Sequence, residues 1–208
     1  MNITKIKSLE RPSKVLWEPR NQYGANIIIA PTGWGKTHLV EFIMRAWVKP
    51  TGGVLPYRIE ARTEKGVPVV LGTKDQSINS IGMRSSMESG KDAIMYYPGR
   101  GKRVVSTNDS LGSSMQAAMS PILDMKIGMQ NSILVIDDID FGMDAKNAAE
   151  YVSVLHQHAS AKNNQIIATT SRREIEPYLS SDWCTNANSE WQSFKTKMEE
   201  FLQVEERQ

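Results

Sequence analysis

The stretch that decides the fold is NIIIAPTGWGKTHLVEFIMRAWV, residues 26–48. Residues 27–30 are apolar and mostly β-branched, which is typical of a strand buried on both faces of a parallel sheet. Residues 37–48 carry apolar side chains at helical spacing, and Pro50 ends that pattern because proline cannot continue a helix. A loop that contains glycine joins the two segments. The sequence therefore predicts a strand, a tight loop and a helix in direct succession.

The loop itself, APTGWGKT, matches the phosphate-binding pattern G-x-x-x-x-G-K-[ST], with Ala30 in place of the first glycine. Gly33 and Gly35 permit the backbone angles that let N–H groups surround phosphate oxygens. We expect the Lys36 ammonium to reach the β- and γ-phosphates and the Thr37 hydroxyl to bind Mg²⁺, while the helix dipole favours the anion. The predicted site for ATP and Mg²⁺ comprises Ala30, Pro31, Thr32, Gly33, Trp34, Gly35, Lys36, Thr37 and His38.

A second apolar run, SILVIDD at residues 132–138, predicts a buried strand that ends in two carboxylates. An ATPase built on such a loop needs a carboxylate on a neighbouring strand to hold Mg²⁺. Asp137 is the candidate metal ligand. Asp138 follows it at the position where a general base would activate the attacking water. Lys36 and Asp138 are therefore the predicted catalytic residues.

The remaining pattern predicts an α/β fold with a mostly parallel central sheet and an antiparallel β element near the N-terminus. We expect a single domain over residues 1–208, in which 1–25 and 54–71 form the β element and 189–208 a C-terminal helix. The other predicted elements are strands at 94–97 and 165–170 and helices at 110–128 and 145–160.

Composition narrows the class of protein without naming an activity. Of 208 residues, 40% are hydrophobic and 23% charged, as in ordinary globular proteins, and the net charge of +2 neither requires nor excludes nucleic acid. An apolar run of roughly 20 residues would indicate a membrane span, and the sequence holds none; the N-terminus also lacks an apolar signal region. With Cys184 as its single cysteine, the chain is predicted to be cytoplasmic and without membrane contact.

The order of motifs resembles the ABC-type ATPases of the RecF/SMC/OLD kind over most of residues 1–176. The opening MNITKI and the β-rich stretch 54–71 are similar to that family's β elements, and SLGSSMQ at 110–116 resembles a degenerate ABC signature. In that family the signature serine and backbone N–H groups bind the γ-phosphate held by the opposite subunit. The resemblance therefore implies that Ser114 completes the ATP site of a partner copy.

Two further segments carry the same resemblance. FGMD at 141–144 looks like the family's D-loop, and NNQIIATTS at 163–171 looks like its switch strand, with Ser171 where a histidine usually stands. Many relatives also have glutamate where this chain has Asp138. Because aspartate is one methylene shorter, the resemblance implies slow hydrolysis or a nucleotide-dependent interaction switch.

Two other P-loop families share part of this pattern. GKTHL at 35–39 and IDDIDF at 136–141 are similar to AAA+ initiators and loaders of the DnaA/IstB kind, in which Thr169 or Thr170 would be the polar sensor. Against that family, the separation of Lys36 from Asp137 is long, and the sequence after residue 175 has no room for the helical lid.

The second rival is the FtsK/HerA class, which includes the small packaging ATPases of internal-membrane viruses. TGWGKT at 32–37 and the chain length are similar to that class. Its usual glutamine would fall near Ser171, where this chain departs from it. Arg172 or Arg173 could act as arginine fingers in a ring.

All three resemblances imply a P-loop ATPase of the additional-strand class that hydrolyses ATP to ADP and phosphate with Mg²⁺. They imply self-association, as a dimer or a ring, through an ATP site that a neighbouring subunit completes. They also imply action on DNA or on a DNA-bound protein partner, and the packaging class implies a virus or mobile element as the source. Trp34 is unusual inside such a loop, and stacking on a base and closing a subunit contact both stay open for it.

Overall fold

The structure is a computed structural model that describes residues 1–11, 13–48, 55–72, 94–97, 121–140, 142–188 and 190–205. Residues 121–127 are helical, and short 3₁₀ turns cover Arg173–Tyr178 and Ser181–Trp183. The longer helices of the described residues are α1 (Lys36–Val48), α2 (Ala145–Ala161) and α3 (Glu190–Glu205). The strands are β1 (Asn2–Ser8), β2 (Val15–Trp17), β3 (Gly24–Ile29), β4 (Tyr57–Arg62), β5 (Pro68–Leu71), β6 (Ile94–Tyr97), β7 (Ile133–Ile136), β8 (Gln165–Thr170) and β9 (Cys184–Asn186).

A five-stranded parallel sheet, in the order β6-β7-β8-β3-β9, forms the centre of the fold. Every residue of β3, β7 and β8 is buried, as the apolar residues in each of these strands predict. Ile29 pairs with Thr170, and Ile136 pairs with Ala168, so these strands end at one edge of the sheet. The loop after β3 and the aspartates after β7 therefore lie at the same edge, where parallel sheets place their ligands.

A separate four-stranded antiparallel sheet, in the order β2-β1-β4-β5, contains the predicted N-terminal β element. The hairpin between β4 and β5 turns at Gly66, whose φ of 75° lies in the left-handed region. The Gly66 N–H donates to the Thr63 carbonyl at 2.9 Å and closes the turn. The α/β fold class and the antiparallel element are thus confirmed.

The two faces of the parallel sheet pack into two apolar clusters, because alternate strand residues point to opposite faces. The first cluster joins the sheet to α1, α3 and the antiparallel sheet, and includes Ile28, Val135, Ile167, Leu39, Phe42, Ile43, Ile3, Ile6, Ile59, Trp191, Phe194 and Met198. The second joins the other face to α2, and includes Ile27, Ile29, Leu134, Ile136, Ile166, Ala168, Ala148, Val152 and Leu155.

Helix α3 is fixed to the first cluster by one apolar stripe. Trp191, Phe194 and Met198 recur at helical spacing and are each 0–1% exposed. The Phe194 ring meets Tyr57 edge-on at 5.0 Å and Phe42 at 5.8 Å, distances typical of favourable aromatic pairs. The predicted C-terminal amphipathic helix is therefore a packed part of the core.

One buried amide connects the two sheets. The Gln165 side chain, at the first position of β8, accepts a hydrogen bond from the Ile3 N–H at 2.7 Å and donates to the Ile3 carbonyl at 3.0 Å. The side chain thereby supplies both bonds that a neighbouring strand would make. Strand β9, which extends the parallel sheet beside β3, was not predicted, since its residues CTN carry no strand signal.

The predicted helix 110–128 is described over 121–128, where residues 121–127 are helical and Gly128 is a turn, and residues 110–120 lie outside the described residues. Among the helices that the structure describes, we find none with the length and apolar character needed to span a bilayer.

Candidate functional site

The loop at residues 30–37 continues directly from β3 into α1. The Ala30 N–H donates to the Thr170 carbonyl at 3.1 Å, which extends the pairing of β3 with β8 by one residue. Gly33 and Gly35 have φ values of 84° and 86°, in the region that favours glycine. A Cβ atom on Gly33 would meet nothing within 4 Å, so this side of the loop faces open space. The loop therefore has the shape of an accessible cradle.

Lys36 is the cation of this cradle, and it is 8% exposed. Its ammonium donates to the carbonyls of Ala30 at 2.9 Å and Pro31 at 3.1 Å, so the side chain folds back over its own loop. Burial lowers the pKa of Lys36, while Asp138 and Asp137 oppose that shift. These carbonyl bonds are what an incoming anion would have to replace.

Asp137 is held by hydroxyl groups on both of its carboxylate oxygens. The Thr169 hydroxyl donates to Oδ1 at 2.6 Å, and the Thr37 hydroxyl donates to Oδ2 at 3.3 Å. The backbone N–H of Asp137 donates to the Tyr97 carbonyl at 3.0 Å. The carboxylate at the end of β7 is thus fixed against the first turn of α1.

Asp138 lies in a backbone conformation that few side chains adopt. Its φ is 48°, which aspartate and asparagine tolerate better than most residues do. Its N–H donates to the Thr169 hydroxyl at 3.2 Å, so one threonine holds both aspartates. Burial raises the pKa of Asp138, and the neighbouring Asp137 charge raises it further.

These elements surround a cleft of about 430 Å³, and residues from the loop, the sheet edge and α3 line it. The lining residues are Thr32, Gly33, Gly35, Lys36, Thr37, His38, Asp138, Ser171, Lys195 and Glu199. The cleft thus brings together most of the residues that the sequence predicted. Sequence reasoning missed Lys195 and Glu199, because their charges on an amphipathic helix look like any solvated face.

The other predicted residues lie around the cleft or outside the described part of the chain. Trp34 is partly buried and packs against the first apolar cluster of its own chain. Ser114, with the rest of the signature-like segment, and Phe141 lie outside the described residues.

The two arginines after β8 differ in their surroundings. Arg172 forms an ion pair with the buried Asp140 at 3.5 Å and donates to the Met143 carbonyl, whereas Arg173 is exposed. Arg172 is therefore engaged by the segment that follows the aspartates of its own chain.

The donor set suits a magnesium ion that is shared with a ligand. Within the described residues, no group of three or more histidine, cysteine, aspartate or glutamate side chains could hold a metal by itself. Thr37 and Asp137 offer adjacent hard oxygen atoms beside the open face of the cradle. Mg²⁺ is usually bound in this way, by one or two protein oxygens together with substrate phosphates and water.

Comparison with known proteins gives no family, since neither a family model nor a curated protein matches the chain. Among solved structures, the chain is similar to CbiO1 from Clostridium perfringens, described as part of the ABC transporter complex CbiONQ, with 10% identity and a TM-score of 0.42 over 99% of this chain and 94% of that chain. It also matches a structure of Drosophila ORC bound to DNA, with 10% identity and a TM-score of 0.25 over 52% of this chain and 85% of that chain. Likenesses at these scores carry no argument about activity.

Proposed function

We propose that residues 1–208 form a single P-loop ATPase domain that binds ATP with Mg²⁺ in the cleft and hydrolyses it to ADP and phosphate. The observation that carries the proposal is the convergence of the Lys36 loop and the Asp137 carboxylate at one sheet edge, joined by the 3.3 Å contact from Thr37 to Asp137. A cation, a glycine cradle and a carboxylate are the parts that phosphoryl transfer requires.

Phosphate binding is assigned to the loop. The backbone N–H groups around Gly33 and Gly35 meet the anion, and the positive end of α1 favours it. Lys36 exchanges neutral carbonyl acceptors for negatively charged phosphate oxygens, which adds the attraction between opposite charges to the hydrogen bonds. The exchange therefore favours the bound state.

Thr37 and Asp137 are assigned to Mg²⁺. The ion, when bound, supplies positive charge that neutralises the phosphates and polarises the phosphoryl group. The hydroxyl of Thr169 keeps the Asp137 carboxylate in place, and such supporting bonds orient metal ligands.

Asp138 is assigned as the base that accepts a proton from the attacking water. It lines the cleft, and burial raises its pKa above the ordinary aspartate range, which makes the carboxylate a better proton acceptor. Its side chain is shorter than glutamate, so we expect turnover to be slow. This short reach also favours a second candidate function, an interaction switch that is held in one state by bound nucleotide.

The same proposal includes three further expectations. The chain self-associates as a dimer or ring, Ser114 or Arg173 of a neighbouring copy completes the site, and the assembly acts on DNA or a DNA-bound partner. They rest on the resemblances of the motif order.

Nucleotide titration of the purified chain tests the proposal. We expect the wild-type chain to bind ATP in Mg²⁺ and to lose affinity in a chelator, Lys36→Ala to lose binding, and Lys65→Ala, an exposed turn residue, to bind normally. Asp138→Asn should keep binding and lose phosphate release. If wild-type chain and Lys36→Ala bind ATP equally, the proposal is wrong.

A further inference from the structure

Helix α3 lies directly on the phosphate loop. A Cβ atom placed on Gly35 would come within 3.2 Å of the Lys195 Cβ and 3.4 Å of its Cγ. The stem of Lys195 therefore runs across the loop at the residue that precedes Lys36. This contact joins residues far apart in the sequence and follows from the way α3 packs.

The position of Lys195 is set by the helix phase. Phe194 and Met198 point into the core and are fully buried, and Lys195 and Glu199 follow them one residue later. Both charged side chains consequently line the cleft together with Lys36.

Lys195 is held weakly where it stands. Its ammonium lies 3.7 Å from a Glu199 carboxylate oxygen, and the side chains are 30% and 43% exposed. Ion pairs of this spacing on a partly exposed helix contribute little to stability, because water and salt screen them. A multiply charged anion in the cleft would compete readily for this lysine, since its four-carbon stem is flexible.

We propose that Lys195 is a second phosphate-binding lysine, which Glu199 holds when the cleft has no nucleotide and which passes to the phosphates when nucleotide binds. The inference rests on the proposed function, because it assigns a further residue to that same site. The charges support it: Asp138 and Glu199 line the cleft and Asp137 lies beside it, and Lys36 together with Mg²⁺ does not balance these carboxylates and a triphosphate.

Opposite effects are expected from the two members of the pair. Lys195→Gln removes the positive charge and keeps most of the stem, and the loss of one charge-assisted hydrogen bond is expected to weaken MgATP binding by roughly tenfold. Lys195→Arg should retain most of the affinity. Glu199→Gln removes a competing negative charge from the cleft and should tighten binding by about two- to fourfold.

Fluorescent-nucleotide titration of the full chain with MgATP and MgADP, at low and high salt, tests the inference. Lys197→Gln is the matched control, because Lys197 lies on the same helix and pairs with Glu10 instead. Thermal unfolding of each variant establishes that α3 remains packed. The loss in Lys195→Gln should shrink at high salt, as expected for an interaction between charges.

Each outcome has a separate meaning. Equal MgATP affinity for wild-type chain and Lys195→Gln would overturn this inference and leave the proposed function intact. Equal losses in Lys195→Gln and Lys195→Arg would also overturn it, because a packing role would then explain the effect. A wild-type chain that binds no nucleotide would overturn both.

Discussion

The Thr169 hydroxyl donates to the Asp137 carboxylate at 2.6 Å and accepts from the backbone N–H of Asp138 at 3.2 Å, so one buried side chain contacts two consecutive aspartates. The threonine comes from β8 and the aspartates follow β7, the neighbouring strand in the sheet. A residue of β8 therefore orients the Asp137 carboxylate and holds the backbone of Asp138 beside it.

We expect Thr169→Val to lower the affinity of the nucleotide site for Mg²⁺. Valine keeps the shape but removes both hydrogen bonds, and loss of such a supporting contact typically reduces metal affinity by about 10- to 100-fold. Thr169→Ser should retain most of the affinity. The measurement is a Mg²⁺ titration at fixed nucleotide concentration.

Thr170→Val is the control for a buried threonine at the next position, where the hydroxyl accepts from the Arg172 N–H. It should leave the Mg²⁺ midpoint unchanged. An equal shift in the valine variants at both positions would contradict the assigned role of Thr169.

Alanine at Gly35 is expected to damage both stability and nucleotide binding. The φ of 86° costs a side chain about 1–2 kcal/mol, and the added Cβ would also press on the Lys195 stem at 3.2 Å. Denaturant unfolding and ATP titration measure the two effects. Gly66→Ala, in the remote β4–β5 turn, has a similar φ of 75° and open space around it, so it should lose stability alone.

Stability should fall in mild acid because of His156. Its ring stacks on Trp183 at 4.3 Å and accepts a hydrogen bond from the Ala25 N–H at 3.1 Å, and burial lowers the pKa of His156. The unfolded chain therefore takes up this proton at a higher pH than the folded chain does. The stabilisation is complete above the ordinary histidine pKa of about 6.5 and is lost as the pH falls from there through the folded pKa.

Urea unfolding at several pH values between about 8 and 5 measures this slope. His156→Gln should flatten it over that range, because glutamine does not titrate. A slope unchanged by His156→Gln would show that other groups cause the acid sensitivity.

Removal of Arg172 should destabilise the fold, whereas removal of Arg173 should not. The Asp140 side chain is 6% exposed and would lose its ion-pair partner, while Arg172 is 41% exposed, so we expect a cost of about 1–2 kcal/mol, below the value for fully buried pairs. Denaturant unfolding of Arg172→Met, Asp140→Asn and the double variant measures the coupling.

Arg173→Met should keep the stability of the wild-type chain. If Arg173 serves a neighbouring copy, this variant loses phosphate release and keeps ATP binding. Unchanged hydrolysis would remove Arg173 from the proposed site.

Helices, strands and loops were predictable where the residue pattern of a single segment determines its local structure. The apolar run of β3, the glycines of the loop and the periodicity of α1 lie next to each other, and the acidic end of β7 is read from its sequence alone. Their meeting at one edge follows because buried parallel strands place their carboxyl ends together. For these elements the prediction needed no knowledge of distant contacts.

Contacts between distant segments could not be predicted. Lys195 contacts Gly35, and Gln165 contacts Ile3, because of the way the helices and sheets pack together. No local residue pattern indicates either contact. Strand β9 is short and polar, and it forms by pairing with the edge of β3. The left-handed φ of Asp138 likewise follows from the sharp turn after β7.

Through the amide of Gln165, β8 connects the antiparallel sheet directly to the acidic edge of the central sheet. The side chain of its first residue forms hydrogen bonds with the backbone of β1. Its last residues, Thr169 and Thr170, lie at the acidic edge of the central sheet. At about 3.3 Å per residue, this strand covers roughly 17 Å without an intervening loop. The antiparallel sheet and the carboxylates therefore keep a constant spacing, and any surface that the outer sheet presents is held in fixed relation to the chemistry at the far end of the strand.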